Sequence, residues 1–562
     1  MQDLIIRNAA IFDGTGKAAL QADLSVSNGL ITAIGRCDSK AKQEINADGL
    51  SLMPGIVDLH THFDAQITWD KTLSPSPALG VTTAVLGNCG FGIAPCPSRL
   101  RETMLKNLSV VEGMDLNALL TGVHWEFESF SQYMDQLRRI RPYINTAVFA
   151  GHSAIRTAVM GEQGSLNSQP SPKQLAAMCQ QLREAMQAGA IGFASSFSPN
   201  HSGYGGLPMP STIASEEELR ALTQVLKEAD RGVFMMATGA RATPDLMESI
   251  AADSGRPAYI STVLAMFNEA NPSLAATYYE RAAQALERGN ALYILTSCQP
   301  LSFDFTLLDP YVLLSHSAFD AVKAAKQHQL ANIYRDPEFR RQFKANLSQP
   351  KTGILFLGNW CHIEIGQTAL PQNETLQGMS IEALAQTRDQ HPVDAFLDFA
   401  LSEDLHTHFI GKFFQNQDEG VAPLLKHPAS VITLSDAGAH LAYMCDAGFG
   451  LHFLSHWVRE TGHFSLSEGI RRLTSEPAYR FRIRGRGILQ AGAPADMLLF
   501  DPHRVGLSKP LTRADLPGGA SRMVREPTGV HGVWVNGVMV HDGKNYAELE
   551  QGPGVVIDEF DS

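Results

Sequence analysis

Nowhere among the 562 residues is there a run of about 18 apolar residues, the minimum for a membrane-spanning helix. The opening Met1-Gln2-Asp3 passes straight into Leu4-Ile5-Ile6 with no basic stretch and no small-residue cleavage site, which predicts a cytoplasmic protein. Cysteine is scarce and odd in number, at seven, so free thiols or metal ligands are expected rather than a disulfide framework. Basic residues are outnumbered, 45 against 58 acidic ones, and the net charge of -13 is spread along the chain, which argues against a nucleic-acid partner. Repeats and low-complexity tracts are lacking as well. What is there, 44% hydrophobic and 18% charged residues, suits a large globular enzyme or binding protein.

Both ends of the chain read as short strands joined by turns. Leu4 to Phe12, Leu24 to Val26 and Leu30 to Ile34 alternate, with Asn28-Gly29 between the last two. Asp496 to Phe500, Val533 to Val535 and Val538 to Val540 repeat the style around Asn536-Gly537. An Asn-Gly pair between apolar alternations is a strong hairpin signal, because both residues tolerate positive φ. From Pro54 onward the pattern changes to short apolar runs alternating with helical ones. Strands are expected at Ile56 to His62, Thr82 to Leu86, Ala190 to Ala194, Val233 to Met236 and Val431 to Leu434, and helices at Lys173 to Ala188 and Glu216 to Ala229. Such βα alternation predicts an α/β fold with a parallel sheet, and eight units fit the length. Residues 301–425 lack the alternation and are read as a largely helical insertion that covers the barrel mouth.

Chemistry concentrates at strand ends. In Pro54-Gly55-Ile56-Val57-Asp58-Leu59-His60-Thr61-His62, residues two apart on a strand face the same way, about 6.5 to 7 Å apart, so His60 and His62 can converge on one ion. Asp58 shares that face one step deeper and can support them from beneath. An isolated His-x-His is a weak signal, but the C-terminal ends of barrel strands are where active sites are built. The next unit, Gly80-Val81-Thr82-Thr83-Ala84-Val85-Leu86-Gly87-Asn88-Cys89-Gly90, ends in a thiol, a good zinc donor. Val431-Ile432-Thr433-Leu434-Ser435-Asp436 ends in a carboxylate, which can be an ordinary helix N-cap or a general acid–base beside a metal.

In order and spacing these stretches resemble the amidohydrolase superfamily and, within it, the N-acyl-D-amino-acid deacylase (D-aminoacylase) group. The resemblance rests on the His-x-His after Pro54-Gly55, on Gly80 to Cys89, on Gly151-His152-Ser153-Ala154-Ile155-Arg156, and on the return to β structure from Pro477 through Gly487, Gly492 and Ala495-Asp496 to Asp501. It implies His60, His62, Cys89 and Asp436 as metal ligands, Asp436 also as catalytic acid–base, and a small N-acylated molecule as substrate. Two-metal members often carry a lysine at the end of the fourth strand. Here Ala190 to Ala194 runs into Ser195-Ser196, and the deacylase group uses the cysteine instead.

That group also places a histidine after each of two later strands, yet Met235-Met236-Ala237-Thr238-Gly239 and Tyr259-Ile260-Ser261-Thr262 carry none. The hydroxyls of Thr238, Ser261 and Thr262 are poor zinc donors, so one tightly bound ion, zinc, is expected. His152 and His201 are the nearest imidazoles able to fill the gap, each better read as a supporting or loop residue. A substrate carboxylate calls for a cation, and Arg156 is the first candidate, with a surface arginine as the plain alternative. His152 and His440 are further substrate-binding candidates, and Cys445-Asp446 and His452 fall where the last barrel loop should line the pocket.

The expectation is therefore a (β/α)8 TIM-like metallo-hydrolase barrel over residues 54–484 with a composite β-domain from residues 1–53 and 485–562. It cleaves a carbon–nitrogen amide bond, meets neither nucleic acid nor membrane, and can form homo-oligomers. Two rivals are a cyclic-amide hydrolase of the dihydroorotase or hydantoinase kind, disfavoured by the missing lysine, and a non-catalytic binding protein with a decayed site.

Overall fold

The computed structural model describes residues 1–261, 263–348, 355–440 and 447–561. Contacts divide the chain into two units. The larger comprises residues 1–266, 275–299 and 422–562, and the smaller 267–274 and 300–421.

The larger unit is built on a (β/α)8 barrel. Its eight parallel strands are β1 Ile56–Asp58, β2 Val81–Leu86, β3 Asn145–Gly151, β4 Gly192–Ser196, β5 Val233–Ala237, β6 Ala258–Ser261, β7 Leu292–Thr296 and β8 Ser430–Ile432, each bonded to the next. A bridge between Thr61 and Ala437 joins the first strand to the last. All eight are buried on both faces, which is why they read as continuous apolar runs. The helices Pro172–Gln187 and Glu216–Ala229 lie where helical spacing puts them, capped by Ser171 and Ser215.

Two strand ends differ from expectation. Regular pairing of β1 stops at Asp58 rather than reaching His62, because the following backbone bonds to both neighbours in turn: Thr61 N donates to the Val85 carbonyl at 3.1 Å, and His62 N to that of Ala437 at 2.7 Å. β8 ends at Ile432, since Leu434 turns into the left-handed region at φ 84°.

Both chain ends form one sheet. Its path runs Val538–His541, Val530–Val535, Met497–Phe500, Ser51–Pro54, Gln2–Ile11, Leu20–Ser27 and Leu30–Gly35, with Ala41–Asn46 also paired to Gln2–Ile11. Leu4, Ile6, Leu24, Val26, Leu52, Leu499 and Trp534 make its core. At the two predicted hairpins Asn28 and Gly29 have φ 52° and 79°, and Asn536 and Gly537 45° and 77°. Asp496 fastens this sheet to the barrel: its carboxylate accepts from Arg486 and from Asn145 Nδ2 at the start of β3, the latter at 2.9 Å, and from Asn536 N at 2.7 Å.

The smaller unit is not purely helical. Alongside its helices it carries a three-stranded antiparallel sheet, in the order Leu301–Phe305, His408–Phe414, Ile363–Gln367. Its core is aromatic, with Phe305, Phe319, Phe343, Trp360, Phe396 and Phe409 among its buried members.

Candidate metal centre

Four side chains from three strand ends meet in a buried pocket. His60 and His62 follow β1 with ring centroids 5.2 Å apart. Cys89 follows β2 through Gly87, and its own backbone is left-handed at φ 54°. Asn88 fixes this turn by donating to the carbonyls of Val85, at 2.8 Å, and Thr61, at 3.2 Å. A side chain at Gly90 would meet the Ala194 carbonyl at 2.8 Å, so only glycine lets the loop pack this tightly over β4. Asp436, beyond β8, is also left-handed at φ 49°. Positive φ at non-glycine residues costs about 1–3 kcal/mol each, and here Cys89, Leu434, Asp436 and His440 adopt it around one pocket.

The donor atoms of His60, His62 and Cys89 lie within 4.8 Å of one another. Cys89 Sγ is 3.6 Å from His60 Nε2. Asp436 Oδ1 stands 3.2 Å from Nε2 of His60 and 3.5 Å from Nε2 of His62. Each imidazole is held from its other nitrogen: His60 Nδ1 is 3.2 Å from Ser261 Oγ, and His62 Nδ1 is 3.0 Å from Glu112 Oε1. Beneath them Asp58, fully buried, accepts from Ser435 Oγ and, at 3.2 Å, from His60 N.

The titration behaviour follows from this packing. Burial lowers His60 to about 4, against the pull of Asp436, leaving a neutral imidazole. Burial acts the same way on His62, yet Glu112 and Asp436 outweigh it and hold that ring well above the ordinary imidazole range. Burial opposes the charged form of Asp436 too, but the two imidazoles keep it well below the usual carboxylate range. Burial raises Cys89 to about 11 and Asp58 to about 7. One carboxylate, two imidazoles and a thiol, the last three buried, form a donor set that suits a small divalent cation of borderline softness.

The remaining expected residues divide. His440, at φ 53°, donates its backbone N–H to the Glu112 carbonyl, and its imidazole sits in the field of Glu112, Asp436 and His62. His201 faces the same groups; its Nδ1 is 2.7 Å from Ser196 Oγ, and burial holds it at about 4. His152 and Arg156 go elsewhere. Nδ1 of His152 is 2.8 Å from Ser195 Oγ and Nε2 is 2.8 Å from Glu218 Oε1. Arg156 is fully buried, ion-paired with Glu218 and donating to the carbonyls of Gly164 and Asn167, so its guanidinium is spent within the fold instead of being offered to a substrate carboxylate or to solvent. Thr238 is buried at the end of β5 beside Tyr278, and His452 stacks on His456 with centroids 5.2 Å apart. Thr262, Cys445 and Asp446 lie outside the described residues.

Sequence reasoning missed Glu112 and Glu218. Neither sits at a strand end: Glu112 caps the C-terminus of the helix Arg101–Val111, and Glu218 occupies the first turn of Glu216–Ala229. An acid in a first helical turn is so common that it carries no signal.

A family model described as the amidohydrolase family matches residues 43–336 and 371–541. An uncharacterized protein of Mycobacterium tuberculosis is 27% identical over 97% of this chain and 92% of its own length. The D-aminoacylase of Alcaligenes xylosoxydans xylosoxydans is 26% identical over 96% of this chain and 94% of its own length. In fold, the chain resembles the N-acyl-D-glutamate deacylase of Bordetella bronchiseptica, solved with zinc and a phosphonate inhibitor, with a TM-score of 0.65, 24% identity and coverage of 99% of this chain and 100% of that one.

Proposed function

This chain belongs to the amidohydrolase family, and we propose that it is a zinc-dependent hydrolase that releases the amine from an N-acylated amino acid, the D-isomers included. The observation that carries this reading is the approach of Asp436 Oδ1 to Nε2 of both histidines, at 3.2 and 3.5 Å, with the Cys89 thiol beside them. Nε2 of His60, Nε2 of His62, Cys89 Sγ and the Asp436 carboxylate would hold the ion. When bound, zinc supplies Lewis acidity, which activates water near neutral pH and polarises a carbonyl.

The chain's own residues do the rest. The Asp436 carboxylate takes a proton from the attacking water and returns it to the leaving nitrogen, so that amide and water become carboxylic acid and amine. Burial of His60, His62 and Cys89 strengthens each electrostatic contact they make. The imidazole of His440, whose backbone N–H is held by the Glu112 carbonyl beside His62, supplies a hydrogen bond to a polar group of the substrate. The zinc-bound neighbour and the D-aminoacylase relative support the choice of metal and of substrate class.

A single ion per chain is part of the proposal. The Ser261 hydroxyl, at the end of β6, is engaged by His60 Nδ1, and Ser195, at the end of β4, by His152 Nδ1. Neither offers the imidazole or carboxylate that a second ion needs. The test is release of free amine from N-acetyl-D- and L-amino acids and, in parallel, ring opening of hydantoins and dihydroorotate to their carbamoyl acids, each with and without chelator. Chelator-sensitive release from N-acyl amino acids alone supports the proposal, whereas ring opening of hydantoin or dihydroorotate would favour a cyclic-amide hydrolase.

A further inference from the structure

We propose that Glu112 is the positioning residue of the metal centre, fixing the orientation and tautomer of His62. The inference rests on the metal-centre reading above and goes beyond it in assigning a role to a residue that is not among the ion's ligands. Glu112 is 2% exposed and caps the C-terminal end of the helix Arg101–Val111. Burial disfavours a carboxylate, and so does the negative end of a helix dipole, so the helix by itself gives no reason for an acid there. Something across the pocket must compensate.

That partner is His62. Its Nδ1 lies 3.0 Å from Glu112 Oε1, while its Nε2 faces Asp436 Oδ1 at 3.5 Å. The charge of a carboxylate this close to Nδ1 favours a proton on that nitrogen, which leaves the Nε2 lone pair for the ion and makes it a stronger donor. Glu112 also accepts, through its backbone carbonyl, the N–H of His440, so one residue ties the β1 end to the loop that carries Asp436. His60 is held differently: its Nδ1 meets the neutral hydroxyl of Ser261 at 3.2 Å. The two imidazoles are therefore unequal, and His62 is the one backed by charge.

The experiment uses the full-length apoprotein and measures affinity for zinc and for cobalt(II) by competition with a chelating dye, together with the visible spectrum of the cobalt form and the melting temperature without metal. Wild type, E112Q and E112A are compared. The expected result is affinity lower by about 10- to 100-fold in E112A and by less in E112Q, where an amide oxygen keeps a partial negative charge beside Nδ1. The cobalt bands should shift in both, and the apoprotein should melt no lower than wild type. Affinities within about threefold of wild type for both variants would overturn the proposal, as would a loss that merely follows a fall in apoprotein melting temperature. Tight binding by wild type with unchanged variants would remove Glu112 and leave the metal centre standing. Failure of wild type to bind either ion would remove both.

Discussion

Asp436 Oδ1, beyond the last barrel strand, lies 3.2 Å from His60 Nε2, beyond the first. The contact exists because the barrel is joined at this seam: Asp436 N donates to the His60 carbonyl at 3.1 Å, so the backbone that closes the ring also sets the carboxylate against the imidazole. Side chains this far apart in sequence thus share a site fixed by main-chain bonds, the rigid mounting that acid–base work requires.

If Asp436 is the acid–base, Asp436→Asn should lower turnover by at least about 10²-fold while His60, His62 and Cys89 keep the metal bound. Metal content and kcat measured on the same preparation check this. Near-wild-type turnover would take Asp436 out of the mechanism.

Cys89→Ser should reduce metal content after dialysis with little change in the melting temperature of the apoprotein, because the hydroxyl keeps the volume and loses the soft donor. Unchanged metal content with a lower melting temperature would make Cys89 a packing residue.

The pair Arg156 and Glu218 is buried and ion-paired, and it is expected to serve folding. Both side chains are buried, so Glu218→Gln leaves a guanidinium without its counter-charge and should cost about 3–5 kcal/mol in denaturant unfolding. Burial opposes the charged form of Glu218, but His152 and Arg156 hold it below its ordinary value. A depressed carboxylate contributes stability above its unfolded pKa, about 4.3, and loses it as pH falls toward the folded value, so the gap between wild type and variant should be full at pH 7 and shrink at lower pH. If Arg156 instead binds substrate, Arg156→Lys would raise KM without a matching loss of stability.

Phe343 is fully buried in the aromatic core of the smaller unit, against Phe319 and Trp360. Phe343→Ala should destabilise the protein by about 3–5 kcal/mol in denaturant unfolding. A loss under about 1 kcal/mol would mean that this core relaxes to fill the space.

The convergence of His60, His62, Cys89 and Asp436 was legible because two physical patterns overlap at the strand ends. Apolar runs of period two mark buried strands, and a donor side chain at the end of such a run, as at His60, Cys89 and Asp436, has only the barrel mouth to face. Glu112 lacked any such marker: its helix lies in the long connection between β2 and β3, and its meaning appears only when that connection is folded over His62. The burial of Arg156 was not legible for a related reason. An arginine after a Gly-His motif reads as a reach toward anions, but its partners, Glu218 and the carbonyls of Gly164 and Asn167, come from separate segments that fold around it. In the smaller unit, Phe303 and Phe305 alternate over only five residues and Ile363 and Ile365 likewise, too short a run for periodicity to separate strand from helix.

The proposed chemistry needs one ion and one carboxylate in this pocket. Its most direct test is to titrate dialysed, chelator-treated protein with zinc while following amine release from an N-acetyl-D-amino acid. No release is expected without zinc, and the rise should be complete at one equivalent per chain. Full activity before any zinc is added, or activity that appears only with the second equivalent, would contradict it.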